Sequence, residues 1–156
     1  AVLTKDNLIY CDLLSGNPEL SQVICDANAQ TVHFLPSSQL CVLVNQKRRR
    51  VWTVDPLDKH IKNETILDKI GEISAVTLNR QCNLICVGTQ DGEVTILSSN
   101  NLEIVGEYRL FEKDMYTGRL PIILEKKARS IIELLNIEEY LVAVTIGGQV
   151  IIVTKV

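Results

Sequence analysis

The sequence predicts an all-β fold built from repeated antiparallel strands, and three observations lead to this prediction. A segment that passes from a turn into an apolar strand occurs three times at equal spacing. Leu8, Val51 and Val94 are equivalent positions in it, so the period is 43 residues. The apolar residues are dominated by Val, Ile and Leu, whereas aromatic residues make up only 4% of the chain, which favours strands over a helical bundle. A repeat of about 40 to 45 residues built only from short strands is typical of a β-propeller blade.

The number of repeats limits the architecture. The three equivalent segments are Lys5–Asp12, Arg48–Asp55 and Asp91–Ser98, and a late fourth copy is Gly147–Ile152. At this period the 156 residues correspond to about 3.6 blades, whereas propellers generally close with about 4 to 8. We therefore predict a partial β-propeller of about three to four four-stranded antiparallel blades that is incomplete within this chain. The remainder is expected in the same longer protein or in a partner.

Turn residues and alternating apolar residues place the strands within the blades. The blades are predicted at about 1–25, 30–68, 72–110 and 128–156, with an insertion at 111–127. The predicted strands are 2–4, 8–14 and 20–25, then 31–35, 40–44, 50–54 and 62–67, then 73–78, 84–88, 93–97 and 103–110, and finally 131–135, 141–145 and 149–154. Asp91-Gly92 and Gly147-Gly148 separate the strands of two hairpins, where glycine supplies the positive φ of a tight turn.

Composition excludes several classes of protein. Apolar residues make up 46% of the chain and charged residues 22%, as in ordinary folded proteins. The sequence has no transmembrane segment, because no apolar run reaches the roughly 18 residues that span a bilayer. A net charge of −3 gives no general attraction to nucleic acid or to an anionic membrane. The five cysteines include no Cys-x-x-Cys pair, which indicates reduced, buried thiols in an intracellular protein, nuclear or cytoplasmic.

Two likenesses to known families rest on these residues. The repeat resembles that of WD-repeat propellers, with Cys11-Asp12, Val54-Asp55 and Leu97-Ser98 at the position of the Trp-Asp dipeptide that names the family. The segments Arg50–Lys59 and Ile131–Val144 are similar to the divergent propellers of a large scaffold family. That family includes the damaged-DNA-binding ubiquitin-ligase adaptor and the large subunits of cleavage/polyadenylation and splicing complexes. Both resemblances imply a propeller that binds other proteins in a multiprotein complex.

Candidate catalytic and metal-binding groups are few. His33 and His60 are 27 residues apart, and neither has a second ligand at metal spacing or a nucleophile beside it. Cys82 and Cys86 lie four residues apart around a predicted strand, but the apolar residues between them indicate core packing. The sequence contains no glycine-rich phosphate loop. We therefore predict that the protein is not an enzyme and uses neither a cofactor nor a metal.

Four adjacent cations, Lys47, Arg48, Arg49 and Arg50, form the sharpest local feature. They repel one another at a hairpin turn unless solvent, a phosphate or an acidic partner screens them. One interpretation is a solvated turn. Another is an anion-binding site for a phosphoinositide, a nucleic-acid phosphate or an acidic peptide. The cluster resembles the paired arginines of the lipid-binding propellers of autophagy, in which a glycine follows where Val51 stands here, and a nuclear-localisation role would use the same residues.

The insertion between the last two blades is the second candidate site. Its candidate protein-binding residues are Phe111, Met115, Tyr116, Leu120 and Pro121. Aromatic, Met and aliphatic side chains are common in interface cores, and loops held on a rigid scaffold often carry function. The alternative is that part of the insertion is the outer strand of a blade, in particular residues 122–124, or a cover for a blade edge.

The functional hypothesis is a non-catalytic scaffold that binds other protein subunits, among them the remainder of the propeller. The alternative is a phosphate-recognising module that binds nucleic acid or a phosphoinositide through the Lys47–Arg50 turn. The two differ in their response to salt, because phosphate binding weakens steeply with ionic strength and an apolar interface does not.

Overall fold

The computed structural model describes residues 2–3, 7–10, 22–25, 28–56, 58, 60–81, 83–112 and 121–155. These residues form four antiparallel sheets and one short helix. The strands are β1 Val2–Leu3, β2 Asn7–Tyr10, β3 Gln22–Cys25, β4 Thr31–Leu35, β5 Leu40–Asn45, β6 Arg50–Asp55, β7 His60–Ile66, β8 Ile73–Asn79, β9 Leu84–Thr89, β10 Glu93–Ser98, β11 Ile104–Arg109, β12 Ile131–Ile137, β13 Tyr140–Thr145 and β14 Val150–Lys155, and the helix is α1 Ile122–Ala128. The chain divides into two units, Ala1–Leu67 and Asp68–Val156.

The first unit contains the sheets β1-β2-β3 and β4-β5-β6-β7. Its inner strands β5 and β6 are apolar along most of their length, and their four central residues are all buried. Continuous apolar runs are expected for a strand that is covered on both faces. The outer strand β7 contains only exposed and half-buried residues instead. Cys41, Leu43, Trp52 and Val54 form the buried core of the four-stranded sheet.

The second unit contains the sheets β8-β9-β10-β11 and β12-β13-β14, and β12 contacts both β8 and β9. The Ser74 hydroxyl on β8 donates a hydrogen bond to the Ile131 carbonyl oxygen at 2.6 Å. At the other end of β12, the Asn136 side-chain amide donates to the Leu78 carbonyl oxygen at 3.1 Å. Hydrogen bonds at both ends of β12 and a shared apolar core therefore hold these sheets together.

Two hairpin turns of the second unit have the same construction. Gly92 has a φ of 79° and Gly148 has a φ of 77°, so the positive φ expected at these turns lies on a glycine in both. Before each glycine, a threonine hydroxyl accepts a hydrogen bond from the backbone N–H that follows the glycine. Thr89 accepts from Glu93 at 3.1 Å, and Thr145 accepts from Gln149 at 3.2 Å. The repeated sequence therefore yields a repeated turn.

The predicted fold class is confirmed, since the described chain is all-β apart from one seven-residue helix. The predicted strand 31–35 has the same bounds in the structure, and most of the others differ by one or two residues. The strand predicted at 8–14 is described only at residues 7–10. Within the part of the chain that the structure describes, no helix is long and apolar enough to cross a membrane.

One alternative from the sequence is wrong. Residues 122–124 form the first turn of α1 rather than an outer strand. Pro121 precedes them with a φ of −53°, and its carbonyl oxygen accepts hydrogen bonds from the N–H groups of Leu124 and Glu125 at 2.8 and 3.1 Å. Proline is compatible with the start of a helix, because a residue there needs no N–H donor. The three aliphatic side chains alone gave no indication of this turn.

Candidate functional site

The first residue of the insertion, Phe111, and Arg129, which follows the insertion, lie against the β9–β10 turn. The Phe111 ring sits beside Gly92, where a Cβ atom would come within 2.5 Å of the ring carbon Cδ2. The guanidinium of Arg129 lies 5.6 Å from the centre of the same ring, and its Nη1 donates to the Glu112 carbonyl oxygen at 3.1 Å. Phe111 is half-buried and serves as an internal contact. Of the candidate protein-binding residues, Met115, Tyr116 and Leu120 lie outside the described part of the chain.

The helix α1 is attached to the β13–β14 turn through backbone hydrogen bonds. Gly147 N–H donates to the Ala128 carbonyl oxygen at 2.8 Å, and Ile146 N–H donates to the Ser130 carbonyl oxygen at 2.9 Å. Glu125 is the one residue of the helix that is fully buried, with 7% of its surface exposed. The position of the helix on unit 2 is therefore fixed by main-chain contacts near its carboxyl end.

The amino end of the same helix presents consecutive aliphatic side chains to solvent. Ile122, Ile123 and Leu124 are exposed by 56%, 79% and 49%, and Pro121 before them is exposed as well. We refer to Pro121–Leu124 as the α1 surface. It includes Pro121, the only described member of the predicted protein-binding set that is exposed. Contiguous exposed apolar side chains are typical of interaction sites.

The basic turn has a fixed backbone. Asn45 Oδ1 accepts a hydrogen bond from the Arg48 N–H at 2.9 Å, and Asn45 Nδ2 donates to the Asn28 carbonyl oxygen at 2.6 Å. Gln30 Oε1 accepts from the Gln46 N–H at 2.6 Å. Arg49 has a φ of 53° at the repeat position that Gly92 and Gly148 occupy in the second unit. This turn presents the side chains of Lys47 and Arg48 to solvent, while Arg49 is half-buried.

Arg50 differs from the other three cations because its guanidinium has an internal partner. Its Nε and Nη2 donate to the two carboxylate oxygens of Glu64 at 2.7 and 3.0 Å. The same guanidinium lies 4.4 Å from the ring centre of the buried Trp52. A bidentate ion pair and a cation–π contact keep Arg50 on the surface of its own sheet. At this turn Lys47 and Arg48 are therefore exposed cations, whereas Arg50 is directed to partners on its own sheet.

The titratable core groups have pKa values that burial has shifted. Burial raises the pKa of the Cys86 thiol to about 12 and also raises the pKa of Cys41. Burial lowers the pKa of His33 below its ordinary value of 6.5, and its buried Nε2 has no hydrogen-bond partner among the described residues. His60 is exposed on β7, and Cys82 lies outside the described chain. The described residues contain no group of three side chains arranged to hold a metal ion.

Comparison with known proteins identifies the architecture. No protein-family profile matches the chain, and no curated protein matches its sequence. Over 80% of its length the chain superimposes on 35% of the β-propeller domain of Cps50 (Swd1) from Myceliophteria thermophila, with a TM-score of 0.56 and 10% sequence identity. The fold is that of a partial β-propeller.

Two further solved structures are similar to these blades. BamB from Moraxella catarrhalis matches 78% of the chain with a TM-score of 0.58 and 12% identity, and the match covers 30% of BamB. The computationally designed Ika4 protein matches 95% of the chain with a TM-score of 0.62 and 12% identity, and the match covers 79% of Ika4. The chain therefore spans about a third of the length of Cps50 (Swd1) and of BamB.

Proposed function

We propose that these blades belong to a non-catalytic scaffold that binds other proteins in an intracellular multiprotein complex, and that the α1 surface is one of its protein contacts. The observation that carries this proposal is the exposure of Ile122, Ile123 and Leu124 on a helix whose position the main chain fixes. Full burial of an aliphatic side chain contributes about 1.5 to 3 kcal/mol. Three such exposed side chains within the first turn of one helix offer apolar area for an interface.

The partner predicted by this chemistry has an apolar cleft with an acidic rim. Lys126 and Lys127 follow the aliphatic residues on α1 and are exposed, so they would face the edge of the contact. A polar, hydrated rim around an apolar centre is the usual arrangement of non-obligate interfaces. The resemblance to the damaged-DNA-binding adaptor family is compatible with this role.

Quantitative affinity purification of the intact protein tests the proposal. Ile123→Asp places a charge at the centre of the α1 surface and should reduce the recovery of specific partners at least about tenfold. The matched control is Ile66→Asp, which charges an isoleucine of 59% exposure on β7. Equal partner sets from the wild type and Ile123→Asp, at unchanged circular dichroism, would contradict the proposal.

A second candidate function has an observation of its own. Lys47 and Arg48 extend from a turn whose backbone Asn45 and Gln30 hold in place, so two adjacent cationic side chains are exposed to solvent at a fixed turn. Such a pair is suited to one phosphate group of a nucleic acid or a phosphoinositide headgroup. This site requires neither Arg50 nor a preformed pocket.

Salt dependence distinguishes this function from the first. Binding to a single-stranded oligonucleotide, or to vesicles that contain a phosphoinositide, should fall steeply between about 50 and 200 mM salt. The double substitution Lys47→Glu/Arg48→Glu should abolish it. The control Lys126→Glu/Lys127→Glu makes the same change in net charge at α1 and should have little effect, so an equal loss in both variants would exclude a specific site.

A further inference from the structure

The basic turn carries a hydrogen-bond donor group besides its two exposed cations. Gln30 lies directly before β4 and is exposed, and its Oε1 accepts a hydrogen bond from the Gln46 N–H at 2.6 Å. Only the oxygen of a side-chain amide can accept such a bond, so this contact fixes which way the amide faces. Its Nε2 group, with two N–H donors, is therefore directed away from Gln46, the residue that precedes Lys47.

The backbone around these donors is held by further hydrogen bonds within the first unit. The Gln30 N–H donates to the Val44 carbonyl oxygen on β5 at 2.8 Å. The Arg49 carbonyl oxygen accepts from the Leu67 N–H at 2.9 Å. A ligand that meets the turn therefore has little backbone to order on binding, which lowers the entropic cost of the contact.

The composition of the turn favours a nucleic acid over a membrane or a protein as its ligand. Residues 46–49 are Gln-Lys-Arg-Arg and include no apolar side chain. Surfaces that bind membranes combine cations with apolar side chains that enter the bilayer, and protein interfaces depend on anchors that fill pockets at their centre. Phosphate and sugar groups of nucleic acids, in contrast, are contacted by Lys, Arg, Asn and Gln side chains.

The strands that the turn connects favour a duplex over a single strand. Proteins that bind single strands stack the bases on aromatic side chains. The one aromatic residue of β5 and β6 is Trp52, which is buried and offers no face to a base. A duplex carries one phosphate charge per about 1.7 Å of its axis, twice the density of a single strand, and so suits cations that contact only the backbone.

We propose that the basic turn contacts the phosphodiester backbone of a double-stranded nucleic acid, with Lys47 and Arg48 on phosphates and the Gln30 amide donating to the same backbone. This inference rests on the second candidate function and narrows its ligand from any phosphate group to one class. Gln30 thereby has a binding role in addition to its contact with Gln46. Phosphate contacts carry no sequence information, so affinity should be independent of the duplex sequence.

The dependence of binding on salt follows from the two cations. Each phosphate that a cation neutralises contributes about 0.9 to the slope of log K against log salt for duplex DNA. Two cations contribute about 1.8, so their part of the affinity should fall about twelvefold between about 50 and 200 mM salt. The double substitution Lys47→Ala/Arg48→Ala should therefore reduce the slope measured for the intact protein by about 1.8, whatever other contacts that protein makes.

Fluorescence anisotropy of a labelled DNA duplex, titrated with the intact protein at several salt concentrations, provides the test. Gln30→Glu keeps an oxygen for the Gln46 N–H but replaces the donor group with a second oxygen, so it should weaken binding at least about fivefold at unchanged thermal stability. The matched control is Gln81→Glu, which makes the same change in charge at an exposed turn of the second unit. It should weaken binding less than about twofold.

Comparison of three ligands tests the ligand class with the wild-type protein alone, so it applies even if a variant fails to fold. At equal phosphate concentration the duplex should bind more tightly than either of its single strands and than vesicles that contain a phosphoinositide. Weaker or equal binding of the duplex, or equal affinity of Gln30→Glu and Gln81→Glu, would overturn the inference and leave Lys47 and Arg48 as a phosphate site. An unchanged salt slope in Lys47→Ala/Arg48→Ala with all three ligands would overturn the second candidate function as well.

Discussion

Gly88 and Ile131 bring two sheets of the second unit into direct contact. A Cβ atom at Gly88 would lie 2.8 Å from Cγ2 of Ile131, which is closer than van der Waals contact allows. Ile131 is fully buried, and its carbonyl oxygen also accepts the hydrogen bond from Ser74. The packing of β9 against β12 therefore depends on the absence of a side chain at residue 88.

The first prediction concerns this contact. Gly88→Ala should lower the free energy of unfolding by about 1 to 3 kcal/mol, because the added methyl group overpacks a buried site. Gly106→Ala on the outer strand β11 is the control, since the atom nearest to its Cβ would be Tyr108 Cε2 at 3.1 Å, a smaller overlap, and it should destabilise the protein less than Gly88→Ala does. Urea denaturation of both variants measures the difference. Equal effects would show that the Gly88 contact is not a stability determinant.

The second prediction separates backbone strain from steric overlap. Gly92 and Gly148 have nearly the same positive φ, but an added Cβ would meet Phe111 at the first and nothing within 4 Å at the second. Gly148→Ala should cost about 1 kcal/mol from strain alone. Gly92→Ala should cost about 1 to 3 kcal/mol more.

A double-mutant cycle tests the cause. Phe111→Ala should recover part of the extra loss in Gly92→Ala, so the two substitutions should be non-additive. Additive free energies of unfolding would mean that Phe111 does not cause the overlap.

The third prediction concerns the basic turn. Arg50→Ala should lower the free energy of unfolding by about 1 to 2 kcal/mol, because the bidentate contact with Glu64 and the contact with Trp52 are lost together. Lys47→Ala and Arg48→Ala change exposed side chains and should each alter stability by less than about 0.5 kcal/mol. Thermal denaturation of the wild type and of Arg50→Ala at low and high salt would show how much of the stability difference comes from the ion pair with Glu64. An Arg50→Ala variant with an unchanged free energy of unfolding would contradict the structural role assigned to Arg50.

The fourth prediction is a pH dependence from His33. Since burial lowers the pKa of His33 in the folded state, the unfolded chain binds a proton more readily. The stability that neutral His33 provides is therefore present above pH 6.5 and is lost as the pH falls through the lower folded value. Relative to His33→Leu, the wild type should lose up to about 1.4 kcal/mol per pH unit in this range. A constant difference between the two from pH 7.5 to 5.5 would contradict this prediction.

The repeat period made the strands predictable, and local context explains what was missed. Runs of Val, Ile and Leu separated by turn residues recur every 43 residues. The positions of the strands and the order in which they pair could therefore be inferred from one sequence. The segment Ile122-Ile123-Leu124 is also compatible with a strand. In the structure a helix begins after Pro121 and continues through the polar residues that follow Leu124. Strand preference of three residues is weak evidence, because tertiary context overrides it.

The candidate site was predictable only in part. Lys47 to Arg50 are adjacent in sequence, yet Arg50 lies on β6 and meets Glu64 across the sheet, which depends on strand register.

Photo-crosslinking at residue 123 tests the central claim most directly. A photoreactive side chain introduced in place of Ile123 in the intact protein should crosslink in cells to one discrete polypeptide. The same group in place of Glu103, which is exposed directly before β11, should not. A specific crosslink from residue 123 alone would support a scaffold that uses the α1 surface. The absence of a crosslink from residue 123, or the same products from both positions, would contradict it.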